Sequence, residues 1–247
     1  MSLPAKVALA PLLIWQGRQV RRSALRLPEA HGPREGVAGH GTGEPCLRLL
    51  VVGDSSAAGV GVAHQHQALA EPLARALAKR LDGPVAWQLI ATTGHRAADA
   101  VAALRDASAL APADVMLAVL GVNDAVAMSP ADPWLAALDA LHVCASERAG
   151  VRLSWHTALP PMGRFLLLPQ PLRWVMGIEA QRLDYALGRH LQGRMDRRLA
   201  TLPPTPAGTL PTGWVAEDGF HPGPQGYRRW AEALAEQIAA DPALPLR

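Results

Sequence analysis

Four short apolar runs recur along the chain with amphipathic segments between them, and this alternation constrains the fold more than any other feature of the sequence. Leu47 to Val52 is broken only by Arg48 and stopped by Gly53-Asp54; Val85 to Ala91 follows; Val115 to Leu120 is ended by Gly121; and Val151 to Trp155 opens into Leu159-Pro160-Pro161. Continuous runs of this length, rather than alternating ones, predict strands covered on both faces. The intervening segments read as helices: Ala68 to Leu81, with Leu69, Leu73, Leu77 and Leu81 at i, i+4 spacing, then Ala97 to Leu110 and Pro133 to Ala149. Strand, helix, strand in repetition predicts βαβ units, hence a parallel sheet with helices on both faces. Farther on, Met176 to Leu199 reads as one long helix with a kink at Gly188 or Gly193. Pro203 to Gly213 is too rich in Pro and Gly for a regular element, with a fifth strand expected nearby. Gln225 to Ala240 closes the chain as a helix with Trp230, Leu234 and Ile238 on one face.

With 247 residues, 49% apolar and 18% charged, the chain is neither disordered nor collagenous, nor a coiled coil or polytopic membrane protein. The expected organisation is an N-terminal extension and linker over residues 1–45, followed by a single domain over 46–247. Charge is unevenly placed. Lys6, Arg18, Arg21, Arg22 and Arg26 stand in the first 27 residues without an acid, leaving 19 basic against 21 acidic groups in the rest. A body with that balance is not expected to bind nucleic acid. Cys46 and Cys144 are the only cysteines, so a disulfide framework is excluded.

Val7 to Trp15 is an apolar run of nine residues containing Pro11, far short of the roughly 20 that cross a bilayer. Its charge mostly follows it and no Ala-x-Ala site comes directly after it, so the segment is expected to be retained rather than cleaved. Two readings stand: an arm packed on the body through Leu12, Leu13, Ile14 and Trp15, or a basic amphipathic segment resting on anionic lipid. Residues 28 to 45, with five glycines and three prolines, read as linker or irregular loop.

In open parallel sheets ligands sit beyond the carboxyl ends of the strands. Those positions hold Gly53-Asp54-Ser55-Ser56, Thr92-Thr93-Gly94 and Gly121-Val122-Asn123-Asp124, and Asn123 is the only asparagine in the chain. Ahead of the last helix stands Asp218-Gly219-Phe220-His221-Pro222. A serine hydroxyl is a weak nucleophile until an imidazole takes its proton, and an aspartate on the far ring nitrogen fixes the tautomer. Ser55, His221 and Asp218 supply those types. The backbone N–H groups of Ser55 and Gly94, with the Asn123 side-chain amide, are the candidate donors to a developing oxyanion.

These four blocks, in this order over residues 53–221, resemble the motif blocks of the SGNH/GDSL hydrolase family. Gly53-Asp54-Ser55 is similar to the first, Gly94 to the second, Gly121-Val122-Asn123-Asp124 to the Gly-x-Asn-Asp block and Asp218-Gly219-Phe220-His221 to the Asp-x-x-His block. The usual GDSL reads GDSS here, with Ser56 where Leu often stands. The resemblance implies a three-layer α/β/α, flavodoxin-like fold around a central parallel sheet. It also implies a metal-independent serine esterase, lipase or thioesterase acting through an acyl-Ser55 intermediate on a small-molecule or lipid ester, without a cofactor. The family's common secretion signal is missing, so the expected place is the cytoplasm, with peripheral attachment to the inner face of a membrane through residues 1–27 left open.

Other readings of the same residues are a non-catalytic glycan- or lipid-binding module on this fold and a metal-dependent phosphoesterase built on Asp54, Asp124 and His221. For Asp54 and Asp124 the expected roles are supporting ones, bracing the turn and the Asn123 loop. His64 and His66 are expected at the surface; His95 and His156 stand near strand ends within reach of the cleft, but each is expected to be a satisfied or solvent-facing histidine. Pro160 to Trp174, with Met162, Phe165 and Leu166 to Leu168, is unusually apolar for a loop. It is either a wall that receives an acyl chain or a loop packed on the core.

Overall fold

The computed structural model describes residues 3–41, 43–204 and 213–247. Along the chain the elements are α1 (Leu3–Ser23), β1 (Glu35–Ala38), β2 (Leu47–Gly53), α2 (Ser55–Ala58), α3 (Ala70–Leu81), β3 (Val85–Ala91) and α4 (Ala97–Asp106). There follow β4 (Val115–Val119), α5 (Val122–Val126), α6 (Ala131–Ala149), β5 (Leu153–Thr157), α7 (Leu172–Leu191), β6 (Arg197–Ala200) and α8 (Pro224–Ala239). The six strands form one sheet in the order β1-β3-β2-β4-β5-β6. From β3 to β6 all neighbours are parallel, and β1 alone runs antiparallel, so the sheet is mixed at one edge. The five parallel strands have the flavodoxin-like order, with β2 at the point where the winding reverses.

Period-two burial makes the three layers. On β2, Leu47, Leu49 and Val51 face a core shared with α3 and α8 through Leu73, Leu77, Tyr227 and Leu234. Leu50 and Val52 face the opposite core, with Leu104 of α4, Leu141 of α6 and Leu183 of α7. Since each face is covered by helices, both sets are apolar, which explains the continuous runs.

Three segments differ from the sequence reading. Within 28–45, expected to be irregular, Glu35–Ala38 pairs with Gln88–Val85 of β3. Its edge position and exposed side chains leave no apolar pattern to read. The long helix expected over 176–199 ends at Leu191; Gly193 turns with φ +75°, and Arg197–Ala200 is the fifth parallel strand. Arg197 escapes the cost of a buried charge by pairing with Asp139 of α6. The helix expected to reach Leu110 stops at Asp106, where the Arg148 guanidinium takes the carbonyls of Leu104, Arg105 and Ala107. Residues 205–212 of the Pro- and Gly-rich stretch lie outside the described residues.

The N-terminal run is part of a 21-residue helix. It packs through Leu13 and Gln16, while Leu12, Ile14 and Trp15 face outward, so three of the four residues expected to anchor an arm do not. Gln16 ties α1 to the start of α7, its Nε2 donating to Gln170 O at 2.7 Å and its Oε1 accepting from Leu172 N at 3.1 Å. Among the described residues no helix is long and apolar enough to cross a membrane.

Candidate active site

The parallel strands end in register, Gly53 beside both Ala91 and Val119, so the segments after β2, β3 and β4 meet at one edge. Asp54 accepts from Ser56 N at 3.0 Å and starts α2, which sets Ser55 at the first position of that short helix. The Asp218–His221 segment is a tight loop closed by Ala216 N to His221 O at 2.9 Å and Gly219 N to Ala216 O at 3.0 Å. Gly61 allows the two loops to meet. A Cβ there would stand 2.4 Å from Pro222 O, and its φ of +106° favours glycine besides. Buried Tyr227 of α8 fastens the same junction by donating to Val60 O at 2.7 Å.

Ser55, His221 and Asp218 thereby form one hydrogen-bonded chain. Ser55 Oγ lies 2.8 Å from His221 Nε2, and His221 Nδ1 lies 2.5 Å from Asp218 Oδ2. The other oxygen of Asp218 accepts from the N–H groups of Phe220 and His221, both at 3.0 Å. Burial alone would raise the Asp218 pKa, but the hydrogen bonds from the His221 ring and from these two N–H groups outweigh it and hold the carboxyl below its ordinary value.

Gly94 follows β3 with open space where a Cβ would be. No described acceptor stands against the N–H of Gly94 or of Ser55. The Asn123 amide donates to His95 O at 2.9 Å and to Asp54 Oδ2 at 3.3 Å. Asp124 accepts from Ala97 N at 3.1 Å and so braces the start of α4. Burial, reinforced by the nearby Asp124 charge, pushes the Asp54 carboxyl up to about 7, and burial raises Asp124 as well. Ser56, the neighbouring hydroxyl, has no part in the Ser55–His221–Asp218 chain.

His64 and His66 are exposed and stacked on each other. The His95 ring is half-buried and its carbonyl holds Asn123. His156 lies within β5, buried, with no partner for either ring nitrogen among the described residues. Burial, aided by the charge of Arg197, pushes its pKa down to about 3. Two site contacts have no local signal in the sequence. Glu29 accepts from Thr93 N at 2.7 Å and Thr93 Oγ1 at 2.8 Å, fixing the turn before Gly94 from 64 residues away. Phe220 packs edge-on against both Phe165 and the His221 ring. Among the described residues no group of three or more His, Cys, Asp or Glu side chains is placed to hold a metal ion.

Residues 51–229 match the GDSL-like lipase/acylhydrolase family. The chain belongs to that family. At family level it is therefore an ester-hydrolysing enzyme. No curated protein matches the sequence. Among solved structures, esterase EstA from Pseudoalteromonas sp., inhibited by monoethylphosphonate, is 17% identical with a TM-score of 0.56 over 77% of this chain and 96% of its own. TesA is 18% identical with a TM-score of 0.57 over 80% and 99%. Est24, a carbohydrate acetylesterase from Sinorhizobium meliloti, is 19% identical with a TM-score of 0.52 over 78% and 99%. At these identities the likeness shows a shared fold, the three-layer SGNH hydrolase architecture.

Proposed function

We propose that the chain is a serine hydrolase that cleaves a carboxylic ester or thioester through an acyl-Ser55 intermediate. The observation that carries this reading is the unbroken Ser55–His221–Asp218 chain at the carboxyl edge of the sheet. Ser55 Oγ attacks the carbonyl carbon while His221 Nε2 takes its proton, and Asp218 holds the ring and stabilises the imidazolium. The N–H groups of Ser55 and Gly94 receive the oxyanion. Asn123, anchored by His95 O, turns its more weakly held N–H, 3.3 Å from Asp54, to the same oxygen. His221 then protonates the leaving alcohol or thiol, and water releases the acyl group by the reverse sequence. Asp54 and Asp124 act as braces.

Intact-mass spectrometry after fluorophosphonate treatment, with chelator present, tests the reading. One adduct on the wild type and none on Ser55→Ala is the expected result. A folded wild type that takes up no adduct would instead favour a binding module on this fold.

The reading extends to a lipid surface. Trp15 and Ile14 are 60% and 54% exposed on α1, beside exposed Arg18 and Arg22, a pairing of apolar and basic groups suited to anionic headgroups. The protein is expected to sediment with vesicles containing phosphatidylglycerol, and the double variant Arg18→Glu, Arg22→Glu to stay in solution. Equal sedimentation of the two proteins, or none by either, would remove the membrane contact.

A further inference from the structure

A cavity of about 800 Å³ opens between α1 and the Pro160–Trp174 segment with the start of α7. Leu13, Gly17 and Val20 line one wall, Leu167 and Met176 the other, and the inner end is closed by Asp218, Phe220 and His221. The cavity thus reaches the His221 ring, whose Nε2 lies 2.8 Å from Ser55 Oγ, and its size lies within the range of about 300–1,000 Å³ that holds a small ligand. Apart from Arg18, its lining is apolar until it reaches Asp218 and His221, so an occupant compatible with it is apolar along its length and reactive at one end. Pro160–Trp174 serves as both core and wall: Met162 and Leu168 are buried, while Leu167 stays 40% exposed toward the opening.

We infer that this cavity binds the aliphatic acyl chain of the substrate, and that α1 is a specificity-determining element of the enzyme. The inference rests on the acyl-Ser55 reading and specifies it: the preferred esters carry medium or long unbranched acyl groups. α1 lies outside the span that matches the family, residues 51–229. Gln16 fixes it in place by bonding to both Gln170 O and Leu172 N at the far wall. Each methylene buried in the transition state is worth up to about fourfold in kcat/KM, which makes chain length a sensitive readout.

Gly17 offers a direct test. Nothing lies within 4 Å of where its Cβ would be, and the position is helical, so a side chain built there extends into the cavity. The experiment measures kcat/KM for p-nitrophenyl acetate, butyrate, octanoate and laurate with the wild type, Gly17→Phe and Leu167→Glu. The wild type is expected to favour octanoate over acetate by at least about tenfold, and Gly17→Phe to collapse that ratio toward one. Leu167→Glu places a carboxylate on the facing wall. It is expected to lower the ratio too and carries the test if Gly17→Phe loses the wild-type circular dichroism spectrum. A flat wild-type series, with turnover abolished by Ser55→Ala, would overturn the acyl cavity and leave the esterase standing. An unchanged ratio in folded variants would overturn the role of these walls. Silence toward every ester would overturn the esterase reading and this one with it.

Discussion

Among the described residues the molecule contains two hydrogen-bonded Ser–His–Asp chains, and the proposed mechanism uses only one. In the first, Ser55 lies 2.8 Å from His221 and His221 lies 2.5 Å from Asp218. In the second, Ser154 Oγ lies 2.7 Å from His142 Nδ1, and His142 Nε2 lies 3.0 Å from Asp196. By residue type and distance the two are nearly equivalent. They differ in backbone placement. Ser55 follows its strand, opens a helix and is 9% exposed, whereas Ser154 sits inside β5 in register with Arg197 and is 0% exposed. Burial, with the charge of Arg197, also pushes His142 below its ordinary pKa. The second chain satisfies buried polar groups; the first has, in addition, its serine partly exposed and, beside it, N–H groups of Ser55 and Gly94 that no described acceptor engages.

Exchanging the two serines for alanine is the strongest way to break this comparison. Ser55→Ala is expected to lower kcat by about 10⁴ or more, since a catalytic triad acts as a unit. Ser154→Ala is expected to keep a near-native rate and to cost about 1 kcal/mol of stability in urea unfolding, because His142 Nδ1 loses its partner. Comparable losses of rate in both variants would mean that the buried chain takes part in catalysis. Asn123→Ala comes next, with an expected fall of about 10² to 10³ in kcat and a smaller change in KM. A pure KM effect would make Asn123 a ground-state contact instead of an oxyanion donor.

The same contrast explains what the sequence could disclose. Runs such as Val115–Val119 are local signals, and topology makes their ends converge, so Ser55, Gly94 and Asn123 could be placed together although they come from three separate loops. His221 and Asp218 were legible because three residues of one turn suffice to join them. The missed features depend on partners distant in sequence. β6 carries two arginines and is a strand only because Asp139 and Asp241 neutralise them from α6 and the C-terminal segment. Glu29 lies in a Gly- and Pro-rich stretch and acts on a turn 64 residues away. The apolar character of Val7–Trp15 marked a helix-forming segment, but which of its residues face the body is set by the contact of Leu13 and Gln16 with α7.

The two regions should also differ in their response to acid. His156, on the same strand as Ser154, is buried with both ring nitrogens unpartnered among the described residues, near the charge of Arg197 and the His142 ring. Its folded pKa of about 3 lies below the unfolded value of about 6.5, so the unfolded chain takes up a proton that the folded chain refuses. The stability linked to this residue is therefore fully present above about pH 6.5 and is lost as pH falls toward about 3, at up to about 1.4 kcal/mol per pH unit. Between pH 7 and pH 5 the wild type is expected to lose about 2 kcal/mol through this group alone. His156→Leu removes both the titration and the unsatisfied nitrogens, and its unfolding free energy should be flatter over that interval by the same amount. Parallel pH profiles for the two proteins would mean that His156 is protonated or solvated in the native state, and the acid response would then have to arise elsewhere, with His142 the next residue to replace.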